Sequence, residues 1–162
     1  MLYCNLTKSL PLLLAGFLCV SLFAFSVPAK GDIAIIVHPS NTNTITLKRV
    51  KKIFLAKTQS FPDGKPVKAF QMDFEPLRTA FNRNVLNRSE KAVNYYWARM
   101  LFSSKAKPPV ILQNADHIKT IVASQPEAIA YIDIKDVDPS VRVCLVVKSS
   151  HDTHGDIGRQ TQ

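Results

Sequence analysis

The 162-residue chain is short of glycine (five), of cysteine (three) and of acid, with 12 Asp+Glu against 21 Lys+Arg. Each shortage excludes something. With so few glycines there is no G-x-G-x-x-G turn and no Walker loop, so the backbone cradles of dinucleotide and nucleoside triphosphate sites are missing. No serine or cysteine sits in a nucleophile elbow. Cys144 lies alone inside the run Val141–Val147, far from Cys4 and Cys19. Once a leader carrying those two is removed, it has no partner for an internal disulfide and reads as a small core residue of a strand. Of the four histidines, His151 and His154 stand near Asp152 and Asp156 at a spacing a metal can use, but in a polar, aperiodic C-terminal stretch. Asp133, Asp136 and Asp138 crowd one connection without the glycine turn of a calcium loop. No metal and no cofactor is expected, and no internal repeat is present.

The one long apolar run, Leu10 to Phe25, follows Lys8 and precedes the small residues of Val27-Pro28-Ala29. This is the pattern of a secretory signal, with cleavage expected after Ala29 and a periplasmic or secreted product. The alternative is an uncleaved anchor, for which the run is short against the ~20 residues that span a bilayer. The expected division is a signal over 1–29, one domain over 30–148 and a disordered tail over 149–162. That length suits one domain with its own core.

Charge is distributed unevenly. From Lys48 to Lys107 there are 14 Lys+Arg and 4 Asp+Glu, whereas Pro108 to Gln162 holds 5 and 7. A basic half favours anionic partners: small anions, anionic lipid or cell-surface polymer, or nucleic acid. Nucleic acid is not expected to be a partner of an exported chain whose aromatics fall at core spacing.

The elements follow from periodicity. Asp32 to Val37 reads as a buried strand. Thr46 caps a helix with Leu47, Val50, Ile53 and Phe54 inside and Lys48, Arg49, Lys51 and Lys52 outside. Pro62-Asp63-Gly64-Lys65 is a turn. A strand over Val67–Met72 is followed by a helix over Leu77–Leu86, and Ser89 caps a second over Glu90–Leu101 with Val93, Tyr96, Trp97, Met100 and Leu101 on one stripe. Tyr96 and Trp97 fit core packing better than a stacking platform. Val110–Leu112 is a short strand or a plug, Asn114 caps another helix, and strands close the domain over Ala128–Ile134 and Val141–Val147. Strands separated by helices imply an α/β domain with a mixed or mainly parallel sheet flanked by helices.

The loop Asp73-Phe74-Glu75-Pro76 joins a strand to a helix, where backbone N–H groups are free and the helix dipole is positive. Arg78, one turn on, can grip an oxyanion in a bidentate manner or pair with Glu75 or Asp73. The candidate ligand set is Ser40, Asn41, Thr42, Asp73, Phe74, Glu75, Leu77, Arg78 and Thr79. Asp73 and Glu75 are also close enough in sequence for acid/base work, but carboxylates at a helix start serve the dipole, and no catalytic residue is assigned.

Several motifs come in a shared order: Lys48 to Leu55 ending Ile53-Phe54-Leu55, the turn Phe61-Pro62-Asp63-Gly64-Lys65-Pro66, Arg78-x-x-Phe81, Val85-Leu86, Tyr96-Trp97 with Phe102, Pro108-Pro109, and Pro126-Glu127-Ala128-Ile129-Ala130-Tyr131. In that order the chain resembles the substrate-binding components of phosphate ABC transporters and their short stand-alone relatives, over Ile33 to Val147. The resemblance implies a periplasmic-binding-protein (type II) like lobe and an oxyanion held at the strand–helix junction. The full receptors have two lobes, and this chain has length for one. Their junction carries a Ser-Gly-Thr-type loop, where this chain has Phe74-Glu75-Pro76-Leu77-Arg78.

Two functions follow as expectations. The first is a solute-binding-like protein holding a small, phosphate-like anion at residues 73–79, with the loop Ser40–Thr42 nearby. The second is a non-enzymatic envelope module that has lost its ligand and docks on an envelope or membrane protein through basic helices. The sequence leaves the oligomeric state open.

Overall fold

The computed structural model describes residues 31–148. The expected signal and tail lie outside the described residues. In chain order the elements are β1 (Ile33–Val37), α1 (Leu47–Phe54), β2 (Lys68–Met72), α2 (Glu75–Asn84), α3 (Glu90–Phe102), β3 (Val110–Leu112), α4 (Ala115–Ser124), β4 (Ala128–Asp133), a 3-10 turn (Ile134–Asp136) and β5 (Arg142–Val147).

Capping sets most of the helix starts. Thr46, Ser89 and Asn114 each accept a hydrogen bond from the backbone N–H three residues on, at 3.3, 3.3 and 2.8 Å. Each supplies a partner to an amide the helix itself leaves unpaired. Helix α2 begins two residues earlier than its apolar period, because Glu75 and Pro76 fill its first turn, where proline loses no helical hydrogen bond. Gly64 takes φ 87° in the turn before β2, which a side chain would strain.

The sheet has the order β3-β2-β4-β1-β5. β2 pairs parallel with β3 and β4, whereas β1 pairs antiparallel with β4 and β5. It is therefore mixed, and β1 reverses direction although a helix separates it from β2. β4 is buried on both faces, as its apolar run Ala128-Ile129-Ala130-Tyr131-Ile132 requires. Between Ile35 and Ile36 the β1–β5 register slips. Leu145 opposes Ile35 and Val143 opposes Ile36, so Cys144 is the extra residue of a β-bulge. Its thiol lies 3.4 Å from the Ile35 carbonyl, and burial pushes its pKa up to about 11.

The chain leaves β2 for β3 at one edge and returns from β3 to β4 in the other direction. Right-handed crossovers then put α2 and α3 on one face and α4 on the other. On the first face Phe81 of α2 stacks on Tyr131 of β4 at 3.9 Å between centroids, and Phe54 of α1 packs against both. The Tyr96 hydroxyl donates 2.6 Å to the Leu55 carbonyl, tying α3 to the end of α1. Tyr96 and Trp97 are buried, as their spacing implies. Val110–Leu112 is a strand rather than a plug, and it forms a free edge of the sheet.

Candidate functional site

The connection leaving β2 runs toward β3, and the one leaving β4 runs toward β5 at the other edge. The paths diverge above the C-terminal ends of β2 and β4, the kind of crevice in which α/β proteins take ligands. Asp73, Phe74 and Glu75 form its rim, and Arg78 stands one turn into α2. The N-cap residue, Phe74, makes no side-chain cap, so the first amides of α2 have no side-chain acceptor.

Arg78 is not free to meet an anion. Its Nε donates to Glu90 Oε1 at 3.0 Å and its Nη1 to Asp73 Oδ1 at 3.4 Å. Glu90 Oε2 accepts a further bond from Asn82 Nδ2 at 2.6 Å. Two carboxylates thus face one guanidinium. Thr79 is also engaged, its hydroxyl donating to Glu75 Oε1 at 3.0 Å. Leu77 is buried in the core, while Phe74 is about half exposed. Of the two pairings open to Arg78 near the loop, the one with Asp73 forms. The stronger partner, Glu90, comes from the next helix.

Tyr131 lies beneath this cluster. Its hydroxyl is buried and has no hydrogen-bond partner among the described residues. Burial raises its pKa, with Arg78 acting to lower it and Glu90 to raise it. Beside the cluster opens a cavity of about 450 Å³, lined by Gln71, Arg78, Asn82 and Glu90 and, among its apolar walls, by Trp97, Leu101 and Ile111.

The loop Ser40–Thr42 does not join this site. Ala130 of β4 is the common partner of Phe70 in β2 and Ile36 in β1. From that level β2 runs up to Asp73, while the antiparallel β1 runs down to the Ser40 loop. The two groups of the expected ligand set therefore sit at opposite ends of the sheet, and the expected proximity is corrected. A parallel β1 would have brought them together. Asn41 has a structural task instead. It is buried, its carbonyl accepts from Arg142 Nη1 at 2.6 Å, and its Oδ1 accepts from the Asn43 backbone at 3.0 Å. Ser40 Oγ pairs with His38 Nδ1 at 2.7 Å, and Thr42 is exposed.

Arg49 of α1 is likewise withdrawn from the basic face assigned to it. Its Nη2 donates to the carbonyls of Ser60 and Phe61 at 2.7 and 2.9 Å. Lys48, Lys51 and Lys52 remain, and none of them makes an ion pair among the described residues.

Sequence reasoning missed Asn82, Glu90 and Tyr131 as members of the cluster. Asn82 carried a usable signal, since it stands four residues after Arg78 on the same helix face. Glu90 opens the next helix, and nothing in the local pattern pointed it at Arg78.

This fold is that of a periplasmic-binding-protein-like lobe. No protein-family model and no curated protein matches the chain. Among solved structures it is similar to an ABC-type phosphate transport receptor from Vibrio cholerae, at 18% identity and a TM-score of 0.56, over 70% of this chain and 45% of that one. It is similar also to a protein described as a phosphate ABC transporter substrate-binding protein with bound phosphate, from Clostridium perfringens, at 23% identity and a TM-score of 0.54, over 70% and 44% of the two chains. The chain spans less than half the length of each. These likenesses concern the fold. Among the described residues no helix is long and apolar enough to cross a membrane.

Proposed function

We propose that this chain is an exported protein of the solute-binding fold that acts as a non-enzymatic docking module of the cell envelope, through the basic side of its helix layer. The observation that carries this reading is Arg78 held between Glu90 and Asp73. The cation best placed to hold an oxyanion is neutralised by the protein's own acids, and Glu75 adds a third carboxylate to the rim. Desolvating a second anion there gains little Coulomb energy and meets repulsion. Meanwhile Lys48, Lys51 and Lys52 stand on α1 without carboxylate partners among the described residues, placed to meet an acidic surface.

A second reading has its own support. The first amides of α2 lack a side-chain cap, and Arg78 keeps Nη2 without a hydrogen bond among the described residues. A small oxyanion at residues 73–79 would use both, with low affinity because Glu90 and Asp73 already neutralise Arg78.

Calorimetric titration with phosphate and sulfate at low ionic strength separates the two. We expect no heat of binding up to millimolar ligand. We also expect retention of the protein by a washed bacterial envelope fraction, weakened with Lys48→Gln, Lys51→Gln and Lys52→Gln together. Tight phosphate binding abolished by Arg78→Ala, or retention indifferent to the three lysines, would overturn the docking reading.

A further inference from the structure

The outer face of α3 exposes three large apolar side chains, Tyr95, Leu101 and Phe102. At 100° per residue, Leu101, Asn94, Ala98, Lys91, Phe102, Tyr95 and Arg99 fall within one half-turn arc, and all are exposed. Phe102 is 98% exposed, Tyr95 72% and Leu101 49%. No acidic residue occurs from Lys91 to Asn114, a stretch that also holds Lys105 and Lys107. None of Lys91, Arg99, Lys105 and Lys107 makes an ion pair among the described residues. The nearest acid in sequence, Glu90, is turned inward onto Arg78 and Asn82. The patch continues onto β3, whose Ile111 is 56% exposed and shares the cavity wall with Leu101.

Large apolar side chains interleaved with unpaired cations on an exposed helix flank match one kind of partner. Aromatic rings settle at the depth of lipid headgroups, and lysine and arginine stems lie along the apolar boundary while their charges reach the phosphates. We infer that the outer face of α3, with the adjoining β3 edge, is a docking surface for an anionic phospholipid bilayer. A second copy of the chain fits less well. It would set these uncompensated cations against their own kind, and β3 is a poor template for strand pairing, being three residues long and preceded by Pro108-Pro109. The inference rests on the docking reading and adds to the α1 lysines a second surface, together with what that surface meets.

The test uses the chain without residues 1–29, whose apolar run would partition by itself. All the strands and helices described here lie within 31–148. Its co-sedimentation is measured with vesicles of phosphatidylcholine alone and of phosphatidylcholine with phosphatidylglycerol in equal parts. We expect binding to the anionic vesicles, weaker by on the order of tenfold or more with Lys91→Gln and Arg99→Gln together, and falling with salt. Phe102→Ser with Tyr95→Ser leaves the net charge unchanged and should also weaken binding by on the order of tenfold, with the circular dichroism spectrum and melting temperature retained. Equal binding to both vesicle types, or a Phe102→Ser, Tyr95→Ser variant that binds like the parent, would overturn the inference. So would a dimer in solution that the same variant dissociates, because the face would then belong to a second copy. If vesicle binding fails while envelope retention through the α1 lysines persists, the lipid surface falls and the docking module stands. If both fail, both go.

Discussion

Arg78 and Arg99 stand on consecutive helices of the same layer and have opposite fates. Arg78, in α2, is held by Glu90 and Asp73 above an unpaired tyrosine hydroxyl. Arg99, in α3, makes no ion pair among the described residues and lies on a face with Phe102 and Tyr95. One cation is consumed inside the fold and the other is left for something outside it. A count of basic residues treats the two as equal. Their neighbours decide whether a positive charge is part of the structure or part of a surface. The opposite side of the sheet repeats the first case: Lys119 of α4 is gripped by Asp138 at 2.6 Å and by Asp116 at 3.0 Å.

The largest expected effect breaks the consumed side of this contrast. Arg78→Ala leaves Glu90 and Asn82 without their cation in a part-buried network, and should cost about 1–2 kcal/mol of stability. Lys91→Gln or Arg99→Gln should stay within about 0.5 kcal/mol, because an unpaired surface cation contributes little to folding. Urea unfolding of the single variants checks both, and equal costs at Arg78 and Arg99 would erase the distinction.

Next in size is the tyrosine beneath the cluster. Tyr131→Phe removes a buried hydroxyl that has no partner while keeping the stack on Phe81. The variant should be unchanged or stabilised by up to about 1 kcal/mol. A loss above that size in the same unfolding experiment would mean that the hydroxyl has a partner after all.

The smallest effect is a pH dependence on the α4 side. Hydrogen bonds from Lys119 and then Ser140 hold the Asp138 carboxyl down at about 2, below its ordinary 3.8. A depressed carboxylate contributes stability that is present above the unfolded value and is lost as pH falls through the folded one. Asp138→Asn should therefore lower the melting temperature slightly at pH 6, and the gap to the parent should close between about pH 4 and pH 2. A gap that persists at pH 2 would show that the carboxylate's charge is not what Lys119 requires.

Much of the architecture could be read before the structure. The helices of Thr46, Ser89 and Asn114 begin where their caps stand, and the strands at 33–37 and 128–133 are where their apolar runs lie. The strand–helix junction at Asp73 was legible for the same reason. The candidate site was legible only in part. Asp73 to Thr79 cluster because they are adjacent in the chain, but Ser40 to Thr42 required knowing which way β1 runs. Neither hydropathy nor turn chemistry records strand direction when the connection is as long as the one from Val37 to Lys68.

Local pattern by itself determined which segments coil and which extend, which face of each is apolar, and that the first half of the domain carries most of the positive charge. Propensity, capping and periodicity act over a few residues, and all of that is written in neighbours along the chain. Only the tertiary structure decided the order of the strands, the reversal of β1, the bulge at Cys144, and which cations are neutralised. Those outcomes depend on contacts between residues far apart in sequence, such as Arg142 with Asn41 and Phe81 with Tyr131, and such contacts leave no local trace.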